Sequence, residues 1–250
     1  MGAWFIWKGI DSRTMGVIVT EVPPHVIPEE RMRQVTVLGR PGVLLIPEGD
    51  GIYAPYVKSI GLANRGTADF RTIAAWLRGS GKLILSTEPW LAYDARIISE
   101  SQAERLFLNN YSGQIDFLVQ PLKTSYPEEP AVTLGEEPEG DADVIHQGDV
   151  PARPVYTLEG TGLLELTVGD ASEGGTGSLI TVDVGEGDGC VIDTDAGTVT
   201  NLEGTESLTA STQLYYNGFR GLWLPVGATT TVAWGENVNR ATMDPRWRWL

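Results

Sequence analysis

The stretch PVYTLEGTGLLELTVG, residues 154–169, holds two short runs of strand-forming residues, each closed by glycine. Neither run is long enough for a helix of ordinary length. Both have the five or six residues of a typical strand. Read outward, the pattern recurs as SLITVDVG (178–185), CVIDTDAGTVTNLEG (190–204), LWLPVG (222–227) and TTTVAWG (229–235). Short strands with a turn signal every few residues predict an antiparallel sandwich for the second half of the chain. Neither half contains a repeat of fixed period, which excludes a solenoid or a propeller.

The first half is also strand-rich. WFIWKGI (4–10), MGVIVTEV (15–22), RQVTVL (33–38) and GVLLIP (42–47) read as strands, and GRPG (39–42) is placed to close a hairpin between the last two. The period then changes. In TADFRTIAAWLRGSG (67–81), Phe70, Ile73, Ala74 and Leu77 follow helical spacing, with Thr67 as N-cap, Asp69 in the first turn and Gly79 as C-cap. One helix over about 67–79 is expected. KLILST, AYDARIIS, ERLFLN and QIDFLVQPL resume the strand pattern. The expected fold class is all-β, mainly β with one helix, in two β-sandwich domains. The expected boundaries are 1–125 for the first domain, 126–142 for an acidic linker or crossover, and 143–250 for the second. The linker rests on TSYPEEPAVTLGEEPEGDAD (124–143), where prolines, glycines and seven acids crowd together.

Composition narrows the function. Thirty glycines and fifteen prolines in 250 residues suit a turn-rich β architecture. The lone Cys190 rules out an internal disulfide framework and a multi-cysteine zinc site. The apolar start lacks a basic region and a small-residue cleavage site, and no run reaches membrane-spanning length, so a cytoplasmic product without membrane contact is expected. Charge divides unevenly. Residues 1–123 hold 13 Lys+Arg and 12 Asp+Glu, a net of +1, whereas residues 124–250 hold 5 and 21, a net of −16, which together give −15. That balance argues against sequence-independent nucleic-acid binding, which requires cations to displace condensed counterions.

No catalytic constellation emerges. His25 and His146 stand one in each half, no G-x-S-x-G elbow occurs, and two histidines with one cysteine spread over 165 positions make no metal cluster. Asp188, Asp193 and Asp195 miss the calcium-loop spacing, because Gly197 stands where a third oxygen ligand belongs. Asp195-Ala196-Gly197 reads instead as a hairpin turn. No catalytic, cofactor-binding or metal-binding residue is therefore nominated. Eight tryptophans leave a sugar-stacking surface as one alternative. At the C-terminus, DPRWRWL (244–250) alternates Trp247 and Trp249 with Arg246 and Arg248. It is expected to be the closing strand of the second sandwich, turning its two tryptophans toward the inter-sheet core and its two arginines toward that domain's carboxylates.

Eight segments in order then carry a resemblance: FIWKGIDSRTMGVIV, PPHVIPEERMRQVTVLGRPG, WLRGSGKLILSTEPWLAYDARI, GQIDFLVQPLK, GDVPARPVYTLEG, LELTVG, VIDTDAGTV and the ending LWLPVGATTTVAWGENVNRATMDPRWRWL. Over nearly its whole length the chain resembles the distal tail protein of phages with long non-contractile tails, the hub between tail tube and baseplate. It departs from that family at Ser86-Thr87-Glu88-Pro89, where an acidic DEP is usual, and at Leu38, where a proline is usual, so local differences are expected there. The resemblance implies a first domain that assembles six copies into a homohexameric ring around the DNA channel, and an outer galectin-like sandwich. It implies as partners the tail tube protein, the tail-associated hub or tip protein, the tape measure protein, and receptor-binding or other baseplate proteins. DNA is only passing cargo, no cofactor is involved, and the location is the virion after assembly in the host cytoplasm. Exposed strand edges pair readily with neighbours. Arg33, Val35, Val37 and Arg40 on RQVTVL and its turn, with Tyr53, are the candidate ring contacts. The alternative function is a carbohydrate-binding surface module with a lectin-like sandwich.

Overall fold

The structure is a computed structural model that describes residues 2–49, 52–64, 70–98, 103–107 and 110–250. The chain divides into two compact units, residues 1–128 with residue 250, and residues 129–249. Both are mainly β, with one α-helix among the described residues.

In the first unit the strands are β1 (Phe5–Trp7), β2 (Ile10–Asp11), β3 (Val17–Glu21), β4 (Met32–Val35), β5 (Leu44–Pro47) and β6 (Tyr56–Asn64). Helix α1 (Phe70–Trp76) follows, then β7 (Ser80–Leu85), β8 (Glu88–Ile97), β9 (Ala103–Phe107) and β10 (Asn110–Ser125). One sheet runs in the order β2-β1-β7-β8-β10-β6-β3, with β9 on β10. It encloses its own core. Phe5, Trp7, Ile60, Leu83, Tyr93, Ile115 and Phe117 are almost wholly buried, and they come from β1, β6, β7, β8 and β10.

Helix α1 is too short to be stable alone. Tertiary contacts hold it. Ile73, Trp76 and Leu77 enter the core, and the indole N–H groups of Trp7 and Trp76 each donate to the other residue's carbonyl, at 3.2 and 3.1 Å. Phe5 stacks on Trp76 with ring centroids 5.5 Å apart. The expected cap Thr67, Asp69 and the Phe70 side chain lie outside the described residues. Gly79 adopts a φ of 76°, as a helix-terminating residue does.

The second unit is a sandwich of two five-stranded sheets. Its strands are β11 (Val132–Gly135), β12 (Gly140–Ile145), β13 (Val155–Gly160), β14 (Leu163–Val168), β15 (Ser178–Asp183), β16 (Gly189–Asp193), β17 (Thr198–Asn201), β18 (Thr212–Tyr216), β19 (Thr229–Trp234) and β20 (Val238–Asp244). One sheet has the order β11-β20-β13-β16-β17 and the other β12-β19-β14-β15-β18. Alternate residues of β13, β14 and β19 are buried, the period-2 signature of strands with one face on a core. Tyr156, Leu158, Leu164, Leu166, Ile180, Ile192 and Val232 fill the space between the sheets at 0 % exposure.

Three expectations are corrected. The acidic stretch 126–142 is not all linker. β11 pairs with β20 and β12 with β19, because Leu134 and Ala142 still present apolar side chains to the core while the acids face solvent. LWLPVG is not a strand. A 3₁₀ turn ends at Leu222, and only Leu224 bridges, to Ala152. Besides β11 and β12, three strands have no clear signal in the sequence, β6, β18 and β20, each interrupted by polar residues.

Candidate interaction surfaces

The predicted hairpin forms in the first unit, with Met32 opposite Pro47 and Val35 opposite Leu44. It is a sheet of its own. Every residue of β5 and all but Val35 of β4 are exposed. Leu45 and Ile46 are neighbours on one strand and so point to opposite faces. Their exposures are 53 % and 43 %, so both faces of the arm are apolar and uncovered. Leu38, in the turn, is fully exposed. The root of the arm is held by a short ladder: Glu30 bridges Tyr53, Arg31 N–H donates to Ile52 O at 2.9 Å, and Ala54 N–H donates to Glu29 O at 2.8 Å. An Arg31–Glu48 ion pair at 2.8 Å closes it.

Of the five candidate ring contacts, Arg33, Val37 and Arg40 are exposed on this arm, while Val35 and Tyr53 are half-buried. The structure adds Leu44, Leu45 and Ile46, which the sequence places on a strand but not on a contact surface. A signal was present. Three consecutive apolar residues in a strand cannot all face one core.

At the other terminus Trp247 is 4 % exposed and lies in the sandwich core. Trp249 is partly buried and packs against the same core. The Trp247 ring meets His146 edge to face, centroids 5.0 Å apart. Arg246 pairs with Asp193 at 3.1 Å and Arg248 with Asp195 at 2.8 Å. Arg153 reaches the same Asp195 at 2.7 Å and covers the Trp223 ring at 4.3 Å. Burial opposes ionisation of Asp195, but the hydrogen bonds from Arg153 and Arg248 outweigh it and hold the carboxyl below its ordinary range. The residues 248–249 form a two-residue strand outside both five-stranded sheets, and β20 takes the place expected for a closing strand. A φ of 48° at Arg246 breaks the chain between them.

No group of three or more metal-ligating side chains occurs among the described residues. Asp193 shapes the turn instead. Its Oδ1 accepts the N–H groups of Asp195 and Ala196, and Gly197 takes φ 65°. His146 is buried, with Nε2 3.0 Å from Val150 O, and burial pulls its pKa down. Burial pushes the Cys190 thiol up to about 12, which leaves it inert. A groove of about 440 Å³ beside Trp234 is lined by Glu139, Glu165, Glu236 and Asn237. The indole is no sugar platform. It is 6 % exposed, donates to Glu137 O at 3.0 Å, and is flanked so closely by Gly135 and Gly140 that a Cβ at either would collide with it.

No protein-family model matches the chain, and no curated protein matches it. Solved structures do. The crystal structure of the SPP1 Dit (gp 19.1) protein, described as a paradigm of the hub adsorption apparatus in phages that infect Gram-positive bacteria, superposes with a TM-score of 0.68 over 97 % of each chain at 16 % identity. The chain has the Dit fold. At that identity the shared property is the architecture, and it spans both units rather than one. The mainly β class, the two-sandwich organisation and the likeness to distal tail hub proteins read from the sequence all stand at the level of the Dit fold.

Proposed function

We propose that this chain is a structural virion protein of a phage or prophage tail, a distal tail hub that six copies build into a ring joining tail tube to baseplate. The observation that carries the reading is the β4–β5 arm, apolar on both faces and uncovered, on a chain with the Dit fold. Contiguous apolar surface of this kind marks an interaction site. A ring needs a head-to-tail contact that closes on itself, and a projecting arm is suited to reach a neighbour. In this reading Arg33, Val35, Val37, Arg40 and Tyr53, with Leu44 to Ile46, contribute to the ring contact.

Charge supports the same assignment. The first half, near neutral, can pack against copies of itself, while the −16 half belongs in solvent. The first half, which forms the ring in this reading, carries a net of only +1 per copy and so has little cationic excess with which to hold DNA passing through the channel. The tail tube, tape measure and tail-tip proteins are the axial partners. Receptor-binding or other baseplate proteins dock on the second unit, read as the galectin-like sandwich. The chain performs no catalysis. Light scattering and negative-stain imaging of the purified protein test this: six-fold rings at micromolar concentration are expected, weakening at low salt as repulsion loses its screening. A strictly monomeric mass at all ionic strengths, with the tail tube protein present, overturns it.

A further inference from the structure

Inside the first unit four ionisable side chains from three strands converge. Lys58 on β6 is 2 % exposed, Tyr93 on β8 1 % and Lys123 on β10 6 %, and Glu88 on β8 lies among them. Glu88 Oε1 accepts from Lys123 Nζ at 2.8 Å, and Oε2 accepts from the Tyr93 hydroxyl. Burial opposes ionisation of Glu88, but these donors outweigh it and keep the carboxylate charged. Lys58 lies over two rings, 5.1 Å from the centroid of Tyr93 and 5.7 Å from that of Tyr56. Its Nζ donates to the carbonyl of Pro24 at 3.0 Å, thirty-four residues earlier in the chain. His25, one residue on, brings Nδ1 to 3.8 Å from Glu88 Oε1.

Stability alone does not account for this cluster. Two buried ammonium groups share one carboxylate, and well-packed apolar side chains in place of a buried ion pair are often neutral or stabilising. What the cluster supplies is direction. Pro24 and His25 belong to the segment between β3 and β4, which has no strand of its own until the ladder at Glu30. That segment carries the arm. A root gripped only at residues 29–31 and 52–54 would leave the arm free to swing, and ordering it on docking would weaken the contact.

We propose that Lys58 is the positioning residue of the arm: through its hydrogen bond to Pro24, backed by Glu88, Lys123 and the Tyr93 ring, it fixes the direction in which β4 and β5 project. The consequence for assembly rests on the reading of the arm as a ring contact, whereas the anchor itself does not. The test is Lys58→Met in the full chain, which keeps the volume and removes the donor. Spin labels at Leu38→Cys in the turn and Arg71→Cys on the exposed face of α1 report the direction of the arm, and the fully buried Cys190 takes no label.

Below the concentration of assembly, a single narrow distance distribution is expected for the parent and one at least twice as broad for Lys58→Met, at an unchanged melting temperature. Unlabelled Lys58→Met should need at least tenfold more protein to form rings. A distribution of unchanged width overturns the anchor. A broadened distribution with unchanged ring formation upholds the anchor and overturns the arm as the ring contact. Lys58→Gln, too short to span to Pro24, is held to the same two outcomes should the methionine variant not fold.

Discussion

The arm and the C-terminal tail are written in nearly the same letters. In RQVTVL an arginine precedes alternating valines, and in RWRWL arginines alternate with tryptophans. The side chains of Arg246 to Trp249 find their partners in the second unit. Trp247 fills the sandwich core, Trp249 packs beside it, and Arg246 and Arg248 meet Asp193 and Asp195. In the arm Val37 is exposed, Leu45 and Ile46 are exposed on opposite faces, and β4 and β5 hydrogen-bond only to each other as a sheet. Alternation reports the conformation of a strand but not what lies across from it. A strand whose complement is in its own chain is a core element, and one whose complement is absent is left open to a partner.

The largest expected effect tests the tail. Trp247→Ala should cost about 3 to 5 kcal/mol, the usual range for deleting a buried aromatic ring. Trp249→Ala should cost distinctly less, since that ring is only partly buried. Chemical denaturation of the full chain, followed by the unfolding of the second unit, measures both. Equal and small losses would make the tail as peripheral as the arm and erase the contrast.

Next in size is Glu88→Gln. It leaves Lys58 and Lys123 buried without a counter-charge and should destabilise the first unit by about 3 kcal/mol, as breaking a buried pair does. Lys58→Met should change stability by less than about 1 kcal/mol, because Lys123 keeps Glu88 and a like charge is removed. If both variants lost the same stability, the cluster would be part of the core and not an anchor.

The third effect is a pH dependence that starts at His146, the ring packed against Trp247 of the tail. Burial lowers the His146 pKa in the folded state, so the unfolded chain binds more protons as pH falls. Stability is therefore full above the unfolded value of 6.5 and declines below it, by at most about 1.4 kcal/mol per pH unit for one proton. Melts between pH 8 and 5 should show this slope in the second unit, and His146→Phe should flatten it while keeping an aromatic contact to Trp247. At lower pH Glu88 adds a second loss in the first unit. Its folded pKa is depressed, so its contribution is present above the ordinary carboxylate value and disappears as pH falls through the lower folded one.

These contrasts show where sequence reading succeeds and where it stops. The sandwich class was legible because β13 to β17 and β19 carry strand patterns closed by turn signals, and Gly197 marked the turn correctly. The helix was legible from Ile73 and Leu77, although Trp76, which also enters the core, falls outside the i, i+3, i+4, i+7 series that starts at Phe70. β6 was invisible because Lys58, Ser59 and Gly61 break its pattern, and apart from Tyr56 the partners that bury Lys58 lie 30 to 65 residues away. β11 and β12 were hidden by acids that face solvent, while Leu134, Ala142 and Val144 hold them to the core. Local spacing reveals local structure. A buried lysine is defined by its distant partners, and no window of sequence contains them.

The smallest expected effect on stability decides the most. Leu45→Asp and Ile46→Asp place a carboxylate on either face of an arm already open to water, so neither buries a charge in the folded monomer. Each should shift monomer stability by less than about 0.5 kcal/mol, the ordinary range for a surface position. In a ring that covers both faces, each substitution instead places an unpaired charge in a dry contact, repeated at every interface, and rings should be abolished. Light scattering of the two variants beside the parent reads this directly. The outcome is sharper still if they differ. Loss of rings in Leu45→Asp alone would assign one face of the arm to the neighbouring subunit and leave the face of Ile46 for a partner elsewhere in the tail. Rings that persist in both would show that the arm, for all its exposed apolar surface, is not what closes them.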